Sequence, residues 1–228
     1  MRFDVMTLFP ELIEEALNKS ITGRAIKKGA FVLKCHNIRD YSTDKHRKVD
    51  DTPYGGGCGM LMTPQPIDDC FSAIKNELAL KPHCIYMSPK GKVLTQNKAK
   101  ELLSYENITI LCGHYEGVDQ RILDMIVDEE ISIGDYITTG GELPTMVLID
   151  VVARMLDGVL SKNECFEDES HYEGMLEYPQ YTRPANYKGR LVPEVLQNGD
   201  HAKISAYKKE QALAITQKNR PDLLNKDE

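Results

Sequence analysis

The hydrophobic positions of this chain form two alternating patterns, short apolar runs and longer amphipathic stretches. Five runs predict strands: RFDVMTLF (2–9), FVLKCHNI (31–38), HCIYMSP (83–89), NITILCG (107–113) and EISIGDYITT (130–139). Apolar residues at helical spacing predict helices in PELIEEALNKS (10–20), TPQPIDDCFSAIKNELAL (63–80), TQNKAKELLS (95–104), VDQRILDMIVD (118–128) and GELPTMVLIDVVARMLDGVL (141–160). The alternation predicts an α/β fold with a parallel sheet covered by helices on both faces.

The alternation stops at about residue 160. Residues 161–185 are acidic, then aromatic and proline-bearing, and this stretch indicates a functional loop or an interdomain linker. Residues 186–228 predict a small helical domain. One face of its helix is expected to carry Ile204, Tyr207, Ala212 and Ile215, with Lys203, Lys208, Lys209 and Lys218 largely exposed.

Three predicted strands end in glycine-bearing segments: MSPKG (87–91), CGHYEG (112–117) and GDYITTGG (134–141). Parallel sheets of this kind bind ligands past the carboxyl ends of their strands. The glycine pair of the third segment fits neither G-x-G-x-x-G nor G-x-x-x-x-G-K-[ST]. These segments predict a small-molecule pocket, although turns after strands also use glycine without any ligand.

The composition is that of a globular protein, with 41% hydrophobic and 28% charged residues among 228. No apolar run approaches the roughly 18 residues of a membrane span. The opening MRFDVMTLFPEL has Asp4 within its apolar run and lacks the small-residue cleavage site of a signal peptide, so we expect a cytoplasmic protein. The six cysteines lack C-x-x-C spacing, which argues against zinc and against a disulfide framework, and indicates small buried or half-buried thiols.

The net charge of −7 argues against a nucleic-acid partner, but the charge is unevenly distributed. Residues 183–226 contain nine Lys and Arg against four Asp and Glu, a local balance of +5, which leaves −12 for the rest. Such a basic tail suits contact with a polyanion. A solvated helical surface would have the same composition, so charge alone leaves both interpretations open.

Five longer motifs follow one another along the chain: CGHYEGVDQRI, EISIGDYITTGGELPTMVLIDVVARM, GMLEYPQYTRP, VPEVLQNGDH and RPDLL. In this order they resemble the bacterial tRNA (guanine-N1)-methyltransferase family, TrmD, and with the MRFDVMTLFPEL opening the resemblance covers essentially the whole chain. It implies methylation of N1 of the guanosine at tRNA position 37, next to the anticodon, in tRNAs with guanosine at positions 36 and 37. The implied methyl donor is S-adenosylmethionine.

The resemblance also implies an architecture. Residues 1–160 would be a SPOUT domain whose C-terminal part forms a trefoil knot, residues 161–185 a linker and active-site loop, and residues 186–228 a helical domain that binds the anticodon stem-loop of tRNA. The protein would be a homodimer with each active site composed of both subunits.

The implied reaction needs a general base, because N1 of guanine carries a proton at neutral pH, and a cation for the charge that develops at O6. Alignment of the family's pattern on Ser170 puts Glu169 at the position of its catalytic aspartate. This glutamate departs from the pattern, and Asp168 is the alternative if the loop shifts by one residue. Arg154 matches the catalytic arginine, although an ion pair with Asp150 on the same helix would also explain it.

Backbone groups of glycine loops can bind the donor without side-chain bulk. By resemblance, the cofactor-binding residues are Tyr86, Met87, Ser88, Pro89, Gly113, Glu116, Ser132, Ile133, Gly134, Asp135, Tyr136, Ile137, Thr138, Gly140, Gly141 and Pro144. Glu116 has a second interpretation, since an acid near a helix N-terminus is favourable with no function at all.

The loop DKHRKVDDTPYGGGCGM (44–60) combines a basic half that suits phosphate with a glycine run that a base can approach. We interpret it as a substrate surface, with a flexible surface loop as the alternative. Asp50 or Asp51 is predicted to contact a guanine edge. Lys203, Lys208, Lys209 and Arg220 are predicted to contact phosphates. The other predicted substrate-binding residues are Gly55, Gly56, Gly57 and Ser170. No metal site is predicted.

Two other functions remain as alternatives, an rRNA methyltransferase and a knotted RNA-binding module without activity. The basic tail and EYPQYTRP favour the tRNA enzyme over the first. The Asp-to-Glu difference hints at the second, but Arg154 and the intact glycine loops argue against it.

Overall fold

The computed structural model describes residues 1–160, 169–172 and 174–224, and the chain divides into two compact units, Met1–Ser161 and Lys162–Glu228. The elements of the first unit are β1 (Arg2–Thr7), α1 (Pro10–Leu17), α2 (Ser20–Lys27), β2 (Val32–Asn37), a 3-10 helix (Ile38–Tyr41), β3 (Asp50–Asp51), β4 (Leu61–Met62), α3 (Pro64–Leu78), β5 (His83–Val93), α4 (Gln96–Leu102), β6 (Asn107–Cys112), α5 (Gln120–Ile126), β7 (Glu129–Ser132) and α6 (Glu142–Ala153).

Five strands form one sheet in the order β2-β1-β6-β5-β7, and all its pairings are parallel, which confirms the predicted α/β class. β1 and β6 are buried along almost their whole length, as strands of a sheet covered on both faces are. On one face, α3 and α5 pack in a cluster with Met6, Cys84 and Leu111. Phe3 and Val5 point to the other face and are also fully buried.

Three elements differ from the prediction at the edge where the glycine segments lie. β7 ends at Ser132 instead of continuing to residue 139, because the Ser132 hydroxyl donates to the Gly134 carbonyl at 2.9 Å and turns the chain. β5 bulges after Met87 and pairs again from Lys92. α6 ends at Ala153, so Arg154 is its C-cap residue and not part of its interior.

The aspartate that interrupts the first apolar run is part of a buried ion cluster. Asp4 is completely buried, and its carboxylate accepts two hydrogen bonds of 2.8 Å from Arg2 and lies 2.8 Å from His36 Nε2. Burial raises the pKa of Asp4, but the hydrogen bonds with His36 and Arg2 outweigh burial and hold the pKa below its usual value. The carboxylate is therefore charged at neutral pH, with its partners in place.

The second unit contains β8 (Asn186–Tyr187) and β9 (Arg190–Leu191), which form an antiparallel hairpin, and α7 (His201–Asn219), with 3-10 helices at Glu194–Leu196 and Pro221–Leu224. α7 starts where the Asp200 side chain accepts a hydrogen bond from the backbone N–H of Lys203, a standard N-cap. Its inward face carries the predicted Ile204, Tyr207, Ala212 and Ile215.

Lys208 corrects the prediction of an exposed lysine. It is half-buried, and its ammonium lies 4.6 Å from the centroid of the Tyr178 ring, a cation–π contact. Lys203, Lys209 and Lys218 are exposed as predicted.

Among the described residues, no helix combines the length and the apolar composition that a membrane span needs.

Cys70, Cys84 and Cys112 are buried free thiols as expected, and burial raises the pKa of the half-buried Cys35 to about 12. Cys58 is exposed, contrary to the expectation, and Cys165 lies outside the described residues.

Candidate functional site

A cavity of about 330 Å³ lies at the carboxyl ends of β6 and β7 and at the bulge of β5, and we call it the pocket. The three glycine-bearing segments meet there. Leu61, Val118, Leu123 and Ile131 supply apolar walls, and most of the remaining lining comes from the segments themselves. Its position past the ends of parallel strands is the one predicted for a ligand site.

Fourteen of the sixteen predicted cofactor residues line this cavity. They are Tyr86, Met87, Ser88, Pro89, Gly113, Glu116, Ser132, Ile133, Tyr136, Ile137, Thr138, Gly140, Gly141 and Pro144. Gly134 and Asp135 do not line it, because they form the turn after β7. Binding of a cofactor by this set remains a prediction.

Two of the segments touch backbone to backbone. The Gly141 N–H donates to the Gly113 carbonyl at 2.9 Å. A Cβ at Gly141 would lie 2.7 Å from Cys112 Cα, and a Cβ at Gly113 would lie 2.7 Å from the Tyr86 hydroxyl oxygen. The contact at Gly141 is with rigid backbone and is closer than a real Cβ tolerates, so the loop depends on glycine there. At Gly113 a Cβ would instead displace the buried Tyr86 ring.

Tyr86 is 8% exposed and borders both the pocket and Gly113. Burial, with the nearby charge of Glu130, raises the pKa of Tyr86 to about 12. The phenol therefore stays neutral at physiological pH and keeps its hydrogen-bonding proton.

The loop between β7 and α6 holds its shape through its own side chains. The Thr138 hydroxyl donates to the Gly140 carbonyl at 2.8 Å, and the Tyr136 hydroxyl donates to the Ile133 carbonyl at 3.1 Å. Tyr136 and Ile137 remain 58% and 83% exposed. The inner part of the loop is thus preformed, while its outer rim presents a tyrosine and an isoleucine.

A buried polar chain that the sequence analysis missed ties the pocket to the sheet. Glu142, the first residue of α6, is 3% exposed, and its carboxylate accepts a hydrogen bond of 2.6 Å from the Thr7 hydroxyl. Its other oxygen lies 2.7 Å from His114 Nε2. The only sequence signal was an acid directly after a glycine pair, and nothing nearby indicates that Thr7, 135 positions earlier, is its partner.

The predicted substrate loop is attached to the pocket at its glycine-rich end. The Glu116 N–H donates to the Met60 carbonyl at 3.0 Å, and the Met62 N–H donates to the Gly117 carbonyl at 2.9 Å. Gly59 packs so closely on the Glu116 side chain that a Cβ would collide with it. Glu116 therefore joins the loop to the pocket through its backbone N–H and its packing against Gly59.

The predicted contact residues of this loop differ in environment. Asp50 is half-buried in the β3–β4 ladder, and Asp51 is exposed. Gly55, Gly56 and Gly57 have φ of 85°, 78° and 127°, with open space where a Cβ would be. Next to them, Tyr54 is 100% exposed. The tip therefore projects into solvent, with room for a partner.

Arg154 does not line the pocket. Gly141 caps the start of α6 and Arg154 its end, and a helix of 12 residues at about 1.5 Å per residue separates the caps by roughly 20 Å. The outward side of α6 also carries Leu143 and Val147, which are 53% and 43% exposed. The predicted catalytic arginine and the pocket of the same chain are therefore far apart.

The other predicted residues belong to the second unit. Glu169 is half-buried in the turn 169–172, and the Ser170 hydroxyl accepts a hydrogen bond of 2.9 Å from the Glu177 N–H. Asp168 lies outside the described residues. On α7, Lys203 pairs with Asp200 at 3.0 Å, and at the end of this helix Arg220 pairs with Asp222.

In the described part of the chain, no group of three or more His, Cys, Asp or Glu is arranged to hold a metal ion.

Residues 1–226 match a family described as tRNA (Guanine-1)-methyltransferase TrmD. Three curated proteins named tRNA (guanine-N(1)-)-methyltransferase are similar over nearly their whole length. The one from Ruminiclostridium cellulolyticum is 58% identical, covering 99% of this chain and 97% of its own. The one from Lachnospira eligens is 54% identical, and the match covers 98% of this chain and 94% of the relative. The one from Clostridioides difficile is 51% identical, and the match covers 99% of this chain and 98% of the relative.

Proposed function

Because this chain belongs to the tRNA (guanine-1)-methyltransferase family TrmD, we propose that it transfers a methyl group from S-adenosylmethionine to N1 of the guanosine at tRNA position 37. Methylation of guanine N1 in tRNA is the activity for which its relatives are named. The donor, the position and the residue roles are our proposal. The full-length similarity to tRNA enzymes gives no support to the rRNA and non-enzymatic alternatives.

The observation that carries the proposal is the preformed pocket. A ligand with an adenosyl group and an amino-acid chain, and without phosphate, fits walls that combine glycine backbone and aliphatic side chains with polar side chains such as Ser88, Glu116 and Thr138. We assign the fourteen lining residues named above to this ligand, which supplies the electrophilic methyl group when bound. The neutral Tyr86 hydroxyl and the loop backbone are its hydrogen-bonding partners.

We assign the general base to Glu169 and the cation to Arg154. Glu169 accepts the N1 proton, and the Arg154 guanidinium stabilises negative charge at O6. Asp168 is the alternative base.

We propose a homodimer in which the pocket of one protomer meets Arg154 of the partner subunit. Two observations support this. Arg154 is about 20 Å from the Gly141 end of its own helix. α6, which carries the exposed Leu143 and Val147, also packs against α1, where Leu12 is 47% exposed. An exposed apolar patch of this kind is typical of a protein interface.

We also propose that the segment from β7 through α6 forms the trefoil knot of the SPOUT fold. Its support is the contact of Gly141 with Gly113, which ties the two loops together. The loop 44–60 and the cations of the second unit are proposed to contact the anticodon stem-loop. We also propose a cytoplasmic location, because the proposed substrate is a tRNA.

The direct test is methyl transfer from labelled S-adenosylmethionine to a tRNA with guanosine at positions 36 and 37. The control tRNA has adenosine at 37. Label should enter only the first, as N1-methylguanosine at 37. Absence of label from both tRNAs would refute the proposal.

The composite site can be tested by mixing the variants Arg154→Ala and Gly141→Ala at a concentration of S-adenosylmethionine that saturates only an intact pocket, so that each variant alone has little activity. After subunit exchange, a mixed dimer has one intact pocket facing one intact arginine. Activity should then return to roughly a quarter of that of wild type, because about half of the dimers are mixed and each has one working site. If the mixture stays inactive although exchange is demonstrated, the site lies within one chain.

Glu169→Gln and Asp168→Asn identify the base. Loss of the base should lower kcat by roughly 100-fold or more while the affinity for S-adenosylmethionine stays unchanged. If Asp168→Asn shows this loss and Glu169→Gln does not, the assignment is wrong by one residue.

A further inference from the structure

One carboxylate of the pocket has no role in the function proposed above. Glu130 belongs to β7 and lines the pocket. Its Oε2 atom is buried and has no hydrogen-bond partner among the described residues. A buried carboxylate without a partner costs free energy, because it has given up its water without a replacement. We therefore searched the pocket for the group that such an oxygen would bind.

The preceding residue of the same strand provides a comparison. Glu129 Oε1 lies 2.7 Å from His83 Nε2, and Glu129 Oε2 lies 2.5 Å from Lys98 Nζ. Burial raises the pKa of Glu129, but the hydrogen bonds with Lys98 and His83 outweigh burial and hold the pKa below its usual value. Successive side chains of a strand point to opposite faces. One face of β7 thus has a carboxylate with its partners in place, and the other face has Glu130.

The register of the sheet places Glu130 beside Tyr86. The two residues are opposite each other in the parallel pairing of β5 with β7, so their side chains lie on the same face. Both residues line the pocket. After burial, the charge of Glu130 is the second cause of the raised pKa of Tyr86. The carboxylate therefore lies close to the phenol on one wall of the pocket.

The bulge of β5 brings a cation to the same wall. Gly91 packs so closely on the Glu130 backbone that a Cβ would lie 2.4 Å from the Glu130 carbonyl carbon. The residue before it, Lys90, is exposed and lines the pocket. This wall therefore combines a buried carboxylate with a lysine. Opposite charges in one wall are complementary to a zwitterion, the form of an amino-acid group at neutral pH.

We propose that Glu130 binds the α-ammonium group of S-adenosylmethionine and thereby selects ligands that carry an amino-acid chain. An ammonium supplies both a positive charge and N–H donors to the unpaired oxygen. The sulfonium of this ligand has the charge but no N–H, and the ribose hydroxyls can donate but are neutral. The inference rests on the proposed function, because that function makes S-adenosylmethionine the ligand.

The test measures the affinities of the full-length protein for three ligands by calorimetric titration. S-adenosylmethionine and S-adenosylhomocysteine both carry the α-ammonium, whereas 5′-methylthioadenosine has the adenosyl group without the amino-acid chain. The variants are Glu130→Gln and, as the matched control, Glu129→Gln, which removes the same charge one residue away. Thermal unfolding of the ligand-free proteins is the second measurement.

Glu130→Gln should weaken the binding of S-adenosylmethionine and of S-adenosylhomocysteine by about 10-fold or more, because both lose a charge-assisted hydrogen bond. Its affinity for 5′-methylthioadenosine should stay within about twofold. The Tm of the ligand-free variant should not fall, since the substitution removes a buried charge that has no partner.

Glu129→Gln should give the reverse result. Its Tm should fall, because His83 and Lys98 lose the carboxylate that they share. Its affinity for each of the three ligands should stay within about twofold of wild type, since Glu129 is on the other face of the strand.

An equal loss for all three ligands in Glu130→Gln would overturn the inference, because Glu130 would then act on the adenosyl group or on the fold. A loss confined to S-adenosylmethionine would also overturn it, since the carboxylate would then face the sulfonium. Wild-type affinity for all three ligands would overturn it as well. The proposed function fails on a different result, a wild-type protein that binds S-adenosylmethionine but does not methylate guanosine 37.

Discussion

The pocket differs from the exposed residues 181–191 of the second unit, the basic segment, which contains three cations and no carboxylate. The difference lies in what holds the residues in place. In the pocket, backbone meets backbone: Gly141 and Gly113 are hydrogen-bonded at 2.9 Å, and neither has room for a Cβ. In the basic segment every side chain is exposed, and Gly189 has nothing within 4 Å of where its Cβ would be. Ligand binding in the pocket therefore depends on its shape, whereas binding at the basic segment depends on its charge. Substitutions in the pocket should act at any salt concentration, whereas those in the basic segment should fade as salt rises.

The same change in both regions gives the largest expected contrast. Gly141→Ala should lower the affinity for S-adenosylmethionine by about 100-fold, because a methyl group against the rigid backbone of Cys112 forces the two loops apart. Gly189→Ala should leave this affinity within about twofold, since its cost is only the strain of a positive φ, about 1 kcal/mol. Calorimetric titration of both variants measures the difference. Equal, small effects would show that the pocket loops are looser than their contacts indicate.

Removal of the buried carboxylate should have the next largest effect. Glu142→Ala leaves the Thr7 hydroxyl and His114 Nε2 without their shared partner, so we expect a roughly 10-fold loss of cofactor affinity and a lower Tm. Glu142→Gln should recover part of the loss.

The control for this prediction is Glu210→Ala, which removes an exposed carboxylate from α7. It should change neither the cofactor affinity nor the Tm. A similar Tm decrease in Glu142→Ala and Glu210→Ala would contradict the assigned role of the buried chain.

Two adjacent lysines on α7 should separate charge from packing. Lys209→Ala should weaken tRNA binding by about 2–3-fold at low salt and not at high salt, with unchanged stability. Lys208→Ala should also lower the free energy of unfolding by about 0.5–1 kcal/mol, because it removes the cation–π contact with Tyr178. Denaturant titration and anisotropy provide the two measurements. Identical stability of the two variants would mean that this contact contributes nothing.

The last expected effect appears only at alkaline pH. The pKa of Tyr86 is about 12 in the folded protein and about 10 in an unfolded chain. The folded state therefore retains this proton longer, and stability should be unaffected below about pH 10 and fall between about pH 10 and 12. Tyr86→Phe should reduce this fall, as measured by urea unfolding at pH 9 and 11. The same pH dependence in both proteins would argue against a buried phenol.

Local pattern was sufficient for much of the fold. Alternating apolar runs predicted the parallel sheet, because burial on both faces leaves a continuous hydrophobic stretch in each strand. The ends of elements were less certain. β7 is shorter than predicted because Ser132 bonds within its own loop, and α6 ends at Ala153 although the apolar pattern continues. The apolar pattern indicates which residues are buried. Residues beyond the last hydrogen bond of a strand or helix can also be buried, so the pattern does not locate the end of the element.

The sequence by itself determined the buried apolar strands of the sheet, which segments carry glycine, and through its motifs most of the residues around the pocket. Only the tertiary structure decided which distant groups meet. Thr7 reaches Glu142 across 135 positions because β1 and β6 are neighbours in the strand order, and Gly59 packs on Glu116 through the β4 contact. It also separated Arg154 from the pocket by the length of α6. The physical reason is that periodicity encodes the inward face of each element, whereas contacts between elements depend on their order in space.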